Sequence, residues 1–423
     1  MADILIKNVY IIDPDNNTEG VGDIFIKNGV FADPETAEGN VEIINGSGLK
    51  AAPGLVDLHV HLRDPGQTDK EDIITGCRAA AAGGVTSLLA MPNTVPTVDS
   101  PETVRYIKEK AKDADAHVYV VGSITKGLEG HEATDIDALY EAGIDALSDD
   151  GRPVLDTSIM VAAMKKASEL GVPVTAHCED PYLAGGKVNE GRISEELGVK
   201  GMPAAAEDAG TAREIALARA YDLPIHICHV STRTSAAMIR EAKKAGVQVT
   251  AETAPHYLML TQDELLKRDA DYRMNPPLRT EEDRLAMIEA LKDGTIDAIA
   301  TDHAPHTPEE KADFVSAPNG AIGMETSFAA AYTALVKSGI MTESELIRKM
   351  SCNAADILGI QAGTMYTGAP ADLFLFKEEE WIVDPEKLHG KSKNTPFKGL
   401  TMAAKVKMTI CGGRIVYKDE CAG

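Results

Sequence analysis

Residues 54–61 read GLVDLHVH. The run is almost wholly apolar over the length of a buried strand, and it ends on His59 and His61. Side chains on a strand alternate faces, so positions i and i+2 point the same way. Both imidazoles therefore face one side, with Leu58 and Val60 turned to the helical layer. An open doubly wound sheet would more often carry a glycine-rich phosphate loop after its first strand. Here His-x-His holds that place.

Seven more strand-like runs follow: VTSLLAMPN (85–93), HVYVVGS (117–123), IDALSDD (144–150), VPVTAHCE (172–179), PIHICHVS (224–231), VQVTAETAPH (247–256) and DAIATDHAPH (297–306). Between them lie amphipathic segments such as PETVRYIKEKAKDA (101–114), DTSIMVAAMKKASELG (156–171), TAREIALARAYD (211–222) and SAAMIREAKKAG (235–246). Gly171 and Gly246 mark helix ends. Eight β/α units close into a (β/α)8 TIM barrel, which has all its strand C-termini at one mouth. The barrel is assigned to residues 53–363. The flanking residues, 1–52 and 364–423, carry short strands with Asn/Gly turns: ILIKNVYII, DIFIKNG and VEIINGSG at one end, ADLFLF, KVKMTICGG and RIVYKD at the other. They are expected to build one small β-sandwich-like domain from both termini, the alternative being two unrelated decorations.

Composition narrows the function. Hydrophobic residues are 44% and charged residues 26%, values that fit a packed globular core. Acidic residues outnumber Lys plus Arg by 66 to 42, a net charge of −24, which argues against nucleic-acid and anionic-membrane partners. The six cysteines form no C-x-x-C pair. The N-terminus lacks a signal-peptide pattern, and no apolar run has the length of a membrane span. A soluble, cytoplasmic protein with reduced thiols is expected.

Metal-ligand residue types recur at the strand ends: His59 and His61 on the first, Asp149 and Asp150 on the fourth, His177, His229 and Asp302 on the fifth, sixth and eighth. Alternation should turn Cys178 and Cys228 away, toward the helices. Imidazole and carboxylate without thiolate suits Zn2+ best. Four histidines with two of these aspartates exceed the needs of one catalytic ion, so a pair sharing a carboxylate and a water is expected. Asp302 is the candidate for moving a proton between water and leaving nitrogen.

These residues resemble the metal-dependent amidohydrolases, and among them the dihydroorotases. The stretches DLHVHLRDP (57–65) and ATDHAPHTPEEK (300–311) are similar to that family's first- and eighth-strand motifs. MPNT (91–94), AHCED (176–180), HVST (229–232) and RMNPPLR (273–279) match in type and order. The resemblance implies reversible cyclisation of N-carbamoyl-L-aspartate to L-dihydroorotate by metal-bound hydroxide chemistry in pyrimidine biosynthesis. It implies His59 and His61 on a first divalent metal, His177 and His229 on a second, and Asp302 on the first as acid/base. Substrate contacts would fall on Arg63, Asn93, Asn275, His306, Asn319 and Gly320.

Many relatives bridge their metals with a carboxylated lysine at the end of strand four. This chain has LSDDG (147–151) there, resembling the bacterial branch with an aspartate bridge, and alignment of SDDG selects Asp150 over Asp149. Lys126 is read as a solvated lysine, and His256 and His303 as packing or supporting residues. His117, His131, His226 and His389 have no context that singles them out. The residue before Gly320 is often aromatic in relatives, which leaves Asn319 a backbone role. Hydantoinase or allantoinase activity is the nearest rival, and a metal-free scaffold for aspartate transcarbamoylase a remoter one. Homodimer formation and association with aspartate transcarbamoylase are left open by the sequence.

Overall fold

The computed structural model describes residues 3–419. In chain order its strands are β1 (Asp3–Asp13), β2 (Thr18–Lys27), β3 (Val30–Ala32), β4 (Val41–Asn45), β5 (Lys50–Pro53), β6 (Leu55–Val60), β7 (Val85–Ala90), β8 (His117–Gly122), β9 (Ala146–Leu147), β10 (Thr175–Ala176), β11 (Val188–Asn189), β12 (Gly201–Met202), β13 (Ile225–Ile227), β14 (Val249–Thr253), β15 (Ala298–Ile299), β16 (Leu373–Ile382), β17 (Thr401–Cys411) and β18 (Arg414–Lys418).

Two parallel four-stranded runs, β6-β7-β8-β9 and β10-β13-β14-β15, form the barrel wall. Parallel bridges Leu147↔Val174 and Val60↔His303 join them edge to edge and close the ring. The eight strands are the eight apolar runs. Every residue of β6 and β7 is buried, as expected when a sheet is covered on both faces.

Helices follow on the outside, opened by side-chain caps: Asp72 on Thr75 N, Ser100 on Thr103 N, Asp156 on Ser158 N, Thr232 on Ser235 N and Thr280 on Asp283 N. The helix expected over 211–222 begins earlier, at Ala205, and runs to Tyr221. The alanines after Pro203 favour helix, and Glu207 and Asp208 in its first turn suit the dipole.

The termini form one branched eight-stranded sheet. The first half of β1 pairs with β4, its second half with β5, and β2 lies along its other edge. β16 pairs with β5 and so joins the C-terminal strands to the N-terminal ones. The residues LFLF of β16 explain how this domain is attached. Leu373 and Leu375 enter its own small core with Ile6, Val9 and Ile26. Phe374 and Phe376, on the opposite face, meet Phe328 at ring distances of 4.9 and 4.8 Å on the barrel side. Burying each phenylalanine stabilises that junction by roughly 1.5–3 kcal/mol.

Among the described residues, no helix is long and apolar enough to cross a membrane. The five described cysteines are free and buried; Cys421 lies outside the described residues.

Candidate active site

The barrel mouth gathers His59, His61, Asp150, His177, His229 and Asp302 into one buried cluster. The Asp150 carboxylate sits at its centre. Its Oδ1 is 3.2 Å from His59 Nε2, 3.6 Å from His177 Nδ1 and 3.7 Å from His229 Nε2; its Oδ2 is 3.6 Å from His61 Nε2. Asp302 Oδ1 closes one side, 3.1 Å from His61 Nε2 and 3.7 Å from His59 Nε2. On the other side His177 Nδ1 and His229 Nε2 converge to 2.9 Å.

These positions are built locally. Asp57, two residues before His59, accepts from Thr301 N at 3.0 Å and Thr301 Oγ1 at 2.6 Å, which ties β6 to the segment carrying Asp302. His61 N donates to His303 O at 2.8 Å. Asp302, His229 and Arg63 then leave their strands in the left-handed region, with φ of 49°, 35° and 62°. Such values are uncommon for residues with a Cβ and cluster at functional sites.

Strand alternation fails where those turns begin. Cys228 was expected to face the helices, and the structure corrects this. Its sulfur lies within 4.8 Å of His59 and Glu252 donor atoms inside the barrel. The left-handed turn at His229 lets that ring reach the mouth although Cys228, its neighbour, also points inward.

The two candidate aspartates of strand four separate cleanly. Asp149 is held beneath the loop after β8, accepting from Ile124 N at 2.7 Å, Thr125 N at 3.0 Å and the Thr125 hydroxyl. Asp150 alone faces the histidines. Burial pushes its carboxyl up, but His59, His229 and His61 outweigh that and hold it well below the usual carboxylate range. Asp302 is likewise lowered against its burial, first by its bond to His61. The cluster thus favours positive charge at its centre. His59 Nε2, Asp150 Oδ1 and His177 Nε2 are buried without an aligned hydrogen bond. Orphaned nitrogen and oxygen donors around a concentrated negative field are the donor set of a divalent cation.

A cavity of about 260 Å³ opens above the cluster. His61, Asp150, His177, His229 and Asp302 line it together with Arg63, Asn93, Asn275, His306, Asn319 and Gly320; His59 lies fully buried beneath. Arg63 donates from Nε to Pro305 O at 3.2 Å, and its Nη2 is 3.4 Å from His306 Nε2. No carboxylate lies within ion-pair distance of it among the described residues. The neighbouring Asp64 is taken by Lys110 at 3.1 Å and Tyr106 at 2.9 Å.

Three of the expected substrate contacts have other partners as well. Asn93 Oδ1 accepts from His61 Nδ1 at 2.8 Å, which turns His61 Nε2 toward Asp302. Asn275 Nδ2 donates to Glu179 at 2.9 Å. The Asn319 side chain accepts from Arg273 at 2.8 Å, while its backbone carbonyl sits 3.0 Å from His306 Nε2. Gly320 has φ 136°, and a Cβ there would come within 2.9 Å of His306 Nε2, so only glycine brings this backbone to the cavity wall.

A dihydro-orotase-like family pattern matches residues 49–235. The chain is 48% identical to a dihydroorotase of Geobacter metallireducens, over 98% of this chain and 99% of that one. It is 46% identical to a dihydroorotase of Acetivibrio thermocellus, over 99% of both. The chain belongs to the dihydroorotase family. An L-hydantoinase (dihydropyrimidinase) from Arthrobacter aurescens shares the fold at a TM-score of 0.88 and 24% identity, covering 99% of this chain and 96% of that one. A dihydropyrimidinase from Brevibacillus agri superposes at 0.86 with 25% identity, over 99% and 95%. Dihydroorotase and hydantoinase relatives together mark a metal-dependent cyclic amidohydrolase.

Other residues around this dihydroorotase-family site fall outside the strand-end pattern. Lys126 is exposed and paired with Glu132, far from any role at the mouth. His303 Nδ1 accepts from Gly323 N at 3.1 Å, and burial pushes its pKa down to about 3, so it packs as a neutral ring. His256 is buried and neutral, lowered to about 4. Sequence reading missed Glu179 and Glu252. Glu179 stands 3.7 Å from His177 Nε2, and Glu252 stands 3.3 Å from His59 Nδ1. A glutamate inside an apolar strand run was the available signal for Glu252. His226 is its second partner, at 3.1 Å.

Proposed function

We propose that this protein is a cytoplasmic dihydroorotase that reversibly closes N-carbamoyl-L-aspartate to L-dihydroorotate with two divalent metal ions. His59, His61 and Asp302 would hold one ion and His177 and His229 the other, with Asp150 shared between them. Imidazole and carboxylate donors favour Zn2+. When bound, such a pair lowers the pKa of water and polarises the amide carbonyl.

The observation that carries the substrate assignment is Arg63, a buried guanidinium facing the cavity without a carboxylate partner. Dihydroorotate brings that carboxylate, and its ring places a scissile amide over the cluster. Arg63 clamps the carboxylate, and Asn93 and Asn275 line the same cavity with amide groups that can orient the ring. Asp302 takes a proton from the attacking water as the carbonyl carbon–oxygen bond forms, then gives it to the amide nitrogen as the carbon–nitrogen bond breaks. Ring closure runs the same transfers backward. His306, lowered to about 4 chiefly by burial, acts as a neutral hydrogen-bonding group beside Arg63.

The test joins metal analysis to a dihydroorotate hydrolysis assay. Reconstitution in carbon-dioxide-free buffer should reach full activity at about two ions per chain, because Asp150 occupies the place of a modified lysine. Saturation at one ion would refute the paired site. A requirement for bicarbonate would transfer the bridge to a lysine.

A further inference from the structure

We infer that Glu252 is a positioning residue that fixes the tautomer and donor strength of His59 toward the metal site, an inference that rests on the reading above. Glu252 lies on β14 inside the barrel, 1% exposed, directly beneath the mouth. Among the described residues its only ion-pair contacts are two imidazoles. Oε1 is 3.3 Å from His59 Nδ1 and Oε2 is 3.1 Å from His226 Nε2. His226 Nδ1 is in turn 2.9 Å from Thr250 Oγ1. Cys228 Sγ lies within 4.8 Å of the same carboxylate.

One assignment of protons suits the charges and distances, although the His59 and His226 contacts to Glu252 are at ion-pair distance without aligned hydrogen-bond geometry. Thr250 donates its hydroxyl to His226 Nδ1, and the His226 Nε2 proton faces Glu252. The His59 Nδ1 proton faces the other carboxylate oxygen, whose charge holds it on that nitrogen. His59 Nε2 is then left with its lone pair, aimed at the gap between Asp150 and Asp302. A ligating imidazole must be neutral with its lone pair on the metal side, and an anionic partner on the far nitrogen makes it a stronger donor. His61 has only the neutral Asn93 amide behind it. The two histidines of the His-x-His pair are therefore unequal, and the difference comes from Glu252. A buried carboxylate is costly unless paired and hydrogen-bonded. Placed here with no lysine or arginine within ion-pair distance among the described residues, Glu252 fits a role in orienting His59.

Glu252→Gln isolates the charge. The amide can still accept from His59, and His226 can adopt its other tautomer, accepting from the new NH2 and donating to Thr250. Glu252→Ala removes orientation as well. Apoprotein of wild type and both variants is titrated with Zn2+ against a chromophoric chelator. Co2+ absorption spectra and thermal unfolding of the apoproteins are recorded alongside. Glu252→Gln should weaken one of the two ions about 10-fold and Glu252→Ala about 100-fold, with the other ion's affinity kept. The Co2+ spectrum of the affected site should shift, and unfolding of the Glu252→Gln apoprotein should be unchanged. If Glu252→Ala does not fold, Glu252→Gln decides alone. Wild-type affinity for both ions in Glu252→Gln, or equal weakening of both with a loss of apoprotein stability, would overturn the inference and leave the proposed function standing. Wild type taking up no Zn2+ would overturn both.

Discussion

Asp302→Ala is expected to abolish measurable turnover of dihydroorotate, and equally of dihydrouracil, hydantoin and allantoin. Asp302 is buried at the mouth with Oδ1 3.1 Å from His61, and its carboxyl is held ionised against burial by the surrounding imidazoles. An ionised, positioned carboxylate can take the proton that every ring opening must move. Losing the proton carrier costs about 10²- to 10⁴-fold, and the same change strips a donor from the first metal position. Asp302→Asn keeps the shape and one oxygen, so it should retain more metal than Asp302→Ala while remaining catalytically dead. Steady-state kcat/KM with metal content measured on the same samples checks both statements. Activity of the metal-loaded asparagine variant above a tenth of wild type would remove Asp302 from the proton-transfer role.

Arg63→Ala should discriminate among those substrates instead. Only dihydroorotate carries the ring carboxylate. A charge-assisted hydrogen bond contributes roughly 1.5–3 kcal/mol, so the substitution should lower kcat/KM on dihydroorotate about 10- to 150-fold. The weak turnover of dihydrouracil, hydantoin and allantoin should barely change. Equal wild-type efficiency on dihydrouracil and dihydroorotate would move the chain to the hydantoinase side of its superfamily. That outcome would agree with its fold likeness to hydantoinases, so the panel tests the substrate and not the architecture. Equal loss at Arg63 on every substrate would mean that the arginine shapes the cavity, through Pro305 and His306, without reading the carboxylate.

The sequence by itself determined the barrel and the residue types at its mouth. Both rest on short-range regularities. Buried parallel strands read as apolar runs, and strand side chains repeat every second residue. A closed parallel barrel also brings every strand end to one face whatever the loops do. His59 and His61 were legible for that reason, and so was the convergence of His177, His229 and Asp302 upon them. Tertiary structure decided which atoms each group meets, because the partners come from segments distant in the chain. Asp149 and Asp150 are adjacent and alike in sequence; only the loop at Ile124 and Thr125 assigns one to scaffold duty and leaves the other among the histidines. Cys228 and His229 both face inward because a left-handed backbone at His229 breaks the two-residue repeat. Arg63 lacks a carboxylate because Lys110 and Tyr106, on the helix over Pro101–Lys110, engage Asp64 in the loop after β6. Glu252 and His226 show the same limit most plainly. Each is one buried polar residue in an apolar strand until the curled sheet sets them side by side beneath His59.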